Sequence, residues 1–288
     1  MRSRLSGLAI ALAALLAPCA TQYIWAEETP SASPAATATP TPAALSSQEI
    51  ASSAKIDSVT IPTPGELLAA LNKEAKPNWQ SQYRSPIPTT YPSRPQIALN
   101  IGGLIADGYI AVEAEDSQQV KNIGKDIISL AKALGVSESV ISRGNSIFDF
   151  ADNNEWSALK EELEATQNEV KLAMEEQHDA ELVSLVTLGG WIRGTEVITG
   201  YVSADYSPGA AKLLRQPAII ALMRSKIASL PEKVQDDPLI QEVKTKLGDL
   251  QNLVSFPSDK VPTPDDVKKV HDTAAELGRD ISNKKEAK

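Results

Sequence analysis

The side chains of greatest chemical interest are the charges set inside the two most apolar stretches of the chain. Asp107 lies in QIALNIGGLIADGYIAVEAED, Gln96 to Asp116, which carries no other charge before Glu113. Arg193 lies in VTLGGWIRGTEVITGYVSAD, Val186 to Asp205, with Glu196 three residues on. Charges are rarely buried unless paired, so two arrangements suit these residues. In one, Asp107 meets Arg193 across two packed helices, or Arg193 pairs locally with Glu196, and the result is a structural lock. In the other, Asp107, Tyr109, Trp191 and Arg193 line a small polar ligand pocket between two halves of a helical body.

Other constellations fail on their own terms. Glu175 and His178 have the Glu-x-x-His spacing of a di-iron bundle, but such a site needs a second copy and further inward glutamates. His271, the other of two histidines, has Lys268 at the corresponding place. Asp149, Asp152, Asn153, Asn154 and Glu155 are rich in oxygen, yet lack the glycine and ligand period of a calcium loop; a helix end with an Asn cap explains them. No G-x-S-x-G turn occurs, and Gly102-Gly103 is followed by no Lys-Ser or Lys-Thr of a phosphate loop. Glu113, Glu115 and Asp116 mark the polar end of a buried helix. The sequence therefore calls for no catalytic residue, no metal and no cofactor.

The elements that position Asp107 and Arg193 are all helical. A segment hydrophobic nearly all round is a buried helix, and glycine, poor as a helix former, points to another backbone approaching closely at Gly102-Gly103 and Gly189-Gly190. Helix starts are marked by proline at the first turn behind a capping residue: Thr63-Pro64, Ser207-Pro208, Asp237-Pro238 and Thr263-Pro264. The first and last carry an acid three residues after the threonine, the capping-box spacing. Apolar residues at three-four spacing predict helices through Val120, Ile123, Ile127, Leu130 and Leu134, and through Val140, Ile141, Ile147, Phe148 and Phe150. Further ones run through Leu159, Leu163, Thr166, Val170 and Ala173, through Ile240, Val243, Leu247, Leu250 and Val254, and through Val267, Val270, Ala274, Leu277 and Ile281. Pro217 should kink a helix running from Ser207 to Leu230. The stretch KPNWQSQYRSPIPTTYPSRP, Lys76 to Pro95, is too rich in proline for a helix, and its aromatics predict an ordered strap over the bundle.

The expected fold is an all-α domain over residues 61–283, with eight to nine helices. Aligning Gly102-Gly103 with Gly189-Gly190 sets DGYIAVEAED against TGYVSADYS, and suggests two similar four-helix halves, 96–180 and 184–283, around the paired Gly-Gly helices.

Residues 1–26 have the parts of a secretory signal: Arg2 and Arg4, an apolar run from Leu5 to Ala17, and a cleavage site after Ala26. That run is too short to remain as a transmembrane span. Leu16-Ala17-Pro18-Cys19 has the outline of a site for a lipid anchor on Cys19, but places proline where a small residue is expected, so ordinary cleavage is preferred. The mature chain then has no cysteine, and thiol chemistry is excluded. Residues 27–60, rich in Pro, Ala, Thr and Ser, read as a disordered linker. A formal charge of −9, more acidic still without Arg2 and Arg4, argues against nucleic acid and against anionic membrane surfaces. The expectation is an exported bacterial protein, periplasmic or secreted and non-enzymatic, acting as a protein-interaction or scaffold module. The alternative is a helical bundle that binds a small ligand between its halves.

Overall fold

The computed structural model describes residues 61–283; the signal, the linker and Cys19 lie outside the described residues. Among these the chain is helical and holds no strand. The helices are α1 (Pro64–Glu74), α2 (Arg94–Glu113), α3 (Ser117–Leu134), α4 (Ser137–Asp152), α5 (Trp156–Glu176), α6 (Ala180–Ala204), α7 (Pro208–Ala211), α8 (Pro217–Ala228), α9 (Glu232–Gln235), α10 (Pro238–Val254) and α11 (Pro264–Ser282). The eight or nine expected are exceeded once the single turns α7 and α9 are included. No helix of the described residues is long and apolar enough to cross a membrane.

Proline and capping chemistry set the helix starts as the sequence implied. Thr63 and Thr263 accept from the backbone N–H of Glu66 and Asp266, whose carboxylates accept in return from the threonine N–H at 2.7 and 2.9 Å. This reciprocal pairing satisfies two amide donors that a helix start leaves orphaned. Asp237 and Ser207 cap α10 and α7. Gly135 closes α3 in the left-handed conformation, at φ 84°.

The centre is α2 against α6, the most extensive helix contact in the molecule. Every residue of α2 from Gln96 to Val112 is buried. A Cβ at Gly102 would lie 1.9 Å from the Val186 carbonyl oxygen, and one at Gly189 would lie 1.9 Å from that of Leu99. Each helix thus needs a glycine where the other backbone crosses it. Around this axis α3 packs on α2, α4 on α3 and α5 on α4, while α11 packs on α6, α10 on α11 and α8 on α10. The buried amides of Gln96 and Asn100 reach across to α11, donating to the Ile281 carbonyl at 3.0 and 2.8 Å. They satisfy a helix end that would otherwise be buried without partners.

Three local expectations are corrected. Pro217 does not kink one long helix: α7 runs into a 3₁₀ turn, Lys212–Leu214, and α8 begins afresh with Pro217 in its first turn. The break frees Gln216 to accept from the Trp191 indole N–H at 3.0 Å. Ile141 does not belong to the buried face of α4 but is exposed. The strap contains a 3₁₀ turn, Trp79–Gln82, in the one part of it where four consecutive residues carry no proline constraint. As expected of a strap, its Trp79 and Tyr91 are buried.

Candidate functional site

The strap carries a single charge between Lys76 and Arg94, and that charge, Arg84, completes the site. Asp107 binds two arginines at once. Its Oδ1 accepts from Arg193 Nε at 2.7 Å and its Oδ2 from Arg84 Nε at 2.8 Å, with Arg84 Nη2 2.6 Å from the same oxygen. Arg193 also reaches Glu196 Oε2 through Nη1 at 3.0 Å, and its Nη2 donates to the Gln82 carbonyl at 2.6 Å. Two arginines and two carboxylates form a neutral quartet joining α2, α6 and the strap. Burial opposes the Arg193 charge, but Asp107 and Glu196 outweigh it and hold the guanidinium above its ordinary value.

Glycine gives the quartet room. A Cβ at Gly103, one turn before Asp107, would stand 3.1 Å from Arg84 Nη2. So Gly102 admits a backbone, while its neighbour admits a guanidinium. Gly108 has ordinary room around it and serves neither purpose.

Of the four residues named from sequence, Asp107 and Arg193 come together and the other two face elsewhere. Tyr109 lies against α1, where a Cβ at Gly65 would sit 2.8 Å from its ring. Its hydroxyl is buried with no hydrogen-bond partner among the described residues. Burial, with Glu164 and Glu66 nearby, pushes its ionisation far above the ordinary tyrosine range. Trp191 is sealed in the core and bonded to Gln216. The geometry is simple: residues two apart on a helix point to nearly opposite sides, so Asp107 and Tyr109, or Trp191 and Arg193, cannot share one wall.

The space at the Gly-Gly crossing, by Gly102, Val186 and Gly190, is about 20 Å³, room for one water. A larger cleft of about 290 Å³ opens between the strap, α2 and α3. Its lining includes the ion pair Arg84–Asp107, apolar Ile87, Leu104 and Ile123, and, on α3, Gln119, Asn122 and Asp126. Tyr83 is fixed at the edge by its hydroxyl, which donates to Asp116 Oδ2 at 3.3 Å. Asp126 is half-buried and, among the described residues, has neither an ion pair nor a hydrogen bond; burial raises its carboxyl above the ordinary value.

The histidines stand apart. His178 is exposed beyond the end of α5, at φ 60°, so it shares no helical face with Glu175. His271 on α11 sets Nδ1 3.3 Å from the Glu196 carbonyl, which an N–H there can serve, and 3.2 Å from Thr199 Oγ1. Among the described residues no three His, Cys, Asp or Glu side chains gather as a metal site would require.

Arg84, Gln82 and Asp126 were not named from sequence. The lone charge of Arg84 in an aromatic, proline-rich strap was the available signal; Asp126 gave only its place at the edge of the apolar stripe of α3. No protein-family model matches this chain, and comparison with curated proteins and with solved structures finds no similar chain.

Proposed function

We propose that this chain is a non-enzymatic protein of the cell envelope that acts by binding, and that a small polar ligand occupies the cleft under the strap. The observation that carries this reading is the cleft itself: about 290 Å³ of space lined by an ion pair, apolar side chains and the polar residues of α3. That is close to the lower end of the range for small-molecule sites. Asp107 and Arg193 speak against chemistry there, since each is committed to other protein groups. The sequence alternative of a pocket between two halves thus moves to the strap side of α2. Export rests on residues 1–26, and a mature N-terminus at Glu27, found by intact mass, is the expected outcome.

A thermal-shift screen of small polar molecules on the mature chain, repeated on Asn122→Trp, tests the cleft. Asn122 is exposed on its edge, and an indole there would fill the space without disturbing the core. Compounds that raise Tm in the wild type and not in the variant support the reading. Equal shifts in both proteins defeat it.

A protein-interaction or scaffold role is the second reading. It draws on Ile141 and Leu172, which are 41% and 55% exposed on α4 and α5. Photo-crosslinkers at these two positions should give a discrete adduct in the envelope that one at Glu175 does not.

The chain of contacts α2–α3–α4–α5, with α5 returning to α2, and that of α6–α11–α10–α8, with α8 returning to α6, suit two four-helix halves built on the Gly-Gly helices. They differ in direction. In the first half the Gly-Gly helix packs mainly on the next long helix in sequence, and in the second on the last, so a duplication would have had to rewire its connections.

A further inference from the structure

Asp126 sets the terms of the cleft. A charge withdrawn from water costs free energy unless a partner replaces the water, and several inward charges among the described residues have one. Asp107 has two arginines, Glu113 has Lys160 at 2.6 Å, and Lys246 has Glu276 at 2.8 Å. Asp126 is half-buried in the cleft wall with none among the described residues. Of the two cations lining the same space, Arg84 is ion-paired with Asp107, to which its Nε donates, while its buried Nη2 makes no hydrogen bond among the described residues; Lys125 is exposed. What the cleft lacks is therefore positive charge beside apolar surface.

We infer that the strap cleft takes a small organic cation, an ammonium group on a short apolar chain, with Asp126 as the carboxylate that receives it. The inference rests on the ligand-binding reading above and gives it a chemical class. The ammonium sits against Asp126, with Asn122 one turn away on the same face of α3, and the chain lies along Ile87, Leu104 and Ile123. A metal ion does not fit, since Asp126 is the one uncommitted carboxylate in the lining and a hard cation demands several oxygens. An anion does not fit either, because Asp107 and Asp126 both face the space and Arg84 is already neutralised.

The probe is n-butylammonium, with butyrate and n-butanol as anionic and neutral molecules of similar size, titrated into the isotopically labelled mature chain. The readout is the amide resonances of Gln119, Asn122 and Asp126. n-Butylammonium is expected to shift them saturably, with affinity at least tenfold weaker in Asp126→Asn and unchanged in Asp259→Asn, which removes an equal charge from an exposed site. Asp126→Asn should fold as the wild type does, since no partner among the described residues is orphaned, and its melting curve verifies this. If butyrate or butanol moves the same resonances as tightly, the cation inference falls while the ligand site stands. If n-butylammonium acts equally on Asp126→Asn, Asp126 is not the receiver and the inference falls. Should a compound from the screen bind the cleft while n-butylammonium leaves these amides still, the cation class alone is overturned. Should nothing move them, the ligand reading fails with it.

Discussion

Asp107 and Asp126 line the same cleft, and the protein treats them in opposite ways. The first is nearly sealed and shares its two oxygens between arginines from two directions. The second lines the α3 side, half-withdrawn from water and bonded to nothing among the described residues. A buried charge whose two oxygens are both answered fixes neighbouring elements in one arrangement. One left unanswered stabilises nothing and keeps its affinity for whatever arrives. The Asp107 side of the cleft is thus structure, and Asp126 is where recognition can occur.

The pair Asp107–Arg193 exists only if α2 and α6 touch, so the sharpest way to break the contrast is to part them. Gly102→Ala or Gly189→Ala places a methyl 1.9 Å from a backbone oxygen that cannot rotate away. The cost should be roughly 3 kcal/mol or more, beyond the usual range for overpacking, read as a fall in the urea midpoint or as failure to fold. Gly108→Ala is the control: with ordinary room around it, better helix propensity should gain up to about 1 kcal/mol.

Removing the shared carboxylate comes next. Asp107→Ala leaves Arg193 buried with Glu196 as its remaining acidic partner and frees Arg84, and breaking such a pair costs about 3–5 kcal/mol. Arg84→Ala should cost about 1 kcal/mol, because Arg84 is partly solvated and Asp107 keeps Arg193. The strap should then exchange its amide protons faster near Gln82 and Arg84 while the core is unchanged, a result hydrogen exchange would resolve. Equal losses in the two variants would mean that the quartet acts as a unit rather than a core pair with an added clasp. Gln216→Leu leaves the Trp191 N–H unanswered in the core and should cost about 1–3 kcal/mol.

How far these features could be read from sequence follows from their physical range. Helix class and starts are local: proline after a capping residue fixes them within a turn, as at Thr63 and Thr263. The close crossing was legible too, since paired glycines in an apolar helix have few other uses. Asp107 and Arg193 were legible as candidate partners because a charge in an apolar helix needs pairing, although Glu196 offered Arg193 a second acid and the structure uses both. Tyr109 and Trp191 were grouped with them by nearness in sequence, although two residues along a helix is half a turn away. Arg84 was hidden because an aperiodic strap gives no face to count from, and its contact with Asp107 depends on where the strap crosses α2. Asp126 followed the helical period to the edge of a solvated face, and only the strap above it turns that edge into the side of a cleft. Non-local covering of one element by an irregular one has no period in the sequence.

The smallest expected effect bears on Asp126 itself. Burial raises its carboxyl in the folded state, with no cation or amide opposing. A carboxyl raised on folding favours the fold while protonated, and that contribution is lost as pH rises through the folded-state value. Asp126→Asn should therefore match the wild type in acid and become slightly the more stable of the two as pH increases from the ordinary carboxylate range toward neutrality. Glu164, raised by burial and by Glu66 and Glu161, acts in the same sense and is common to both proteins, so the difference between the two curves isolates Asp126. Paired urea melts from acid to neutral pH give that difference. A variant less stable than the wild type at neutral pH would mean that Asp126 has a favourable partner inside the protein, and the contrast with Asp107 would disappear.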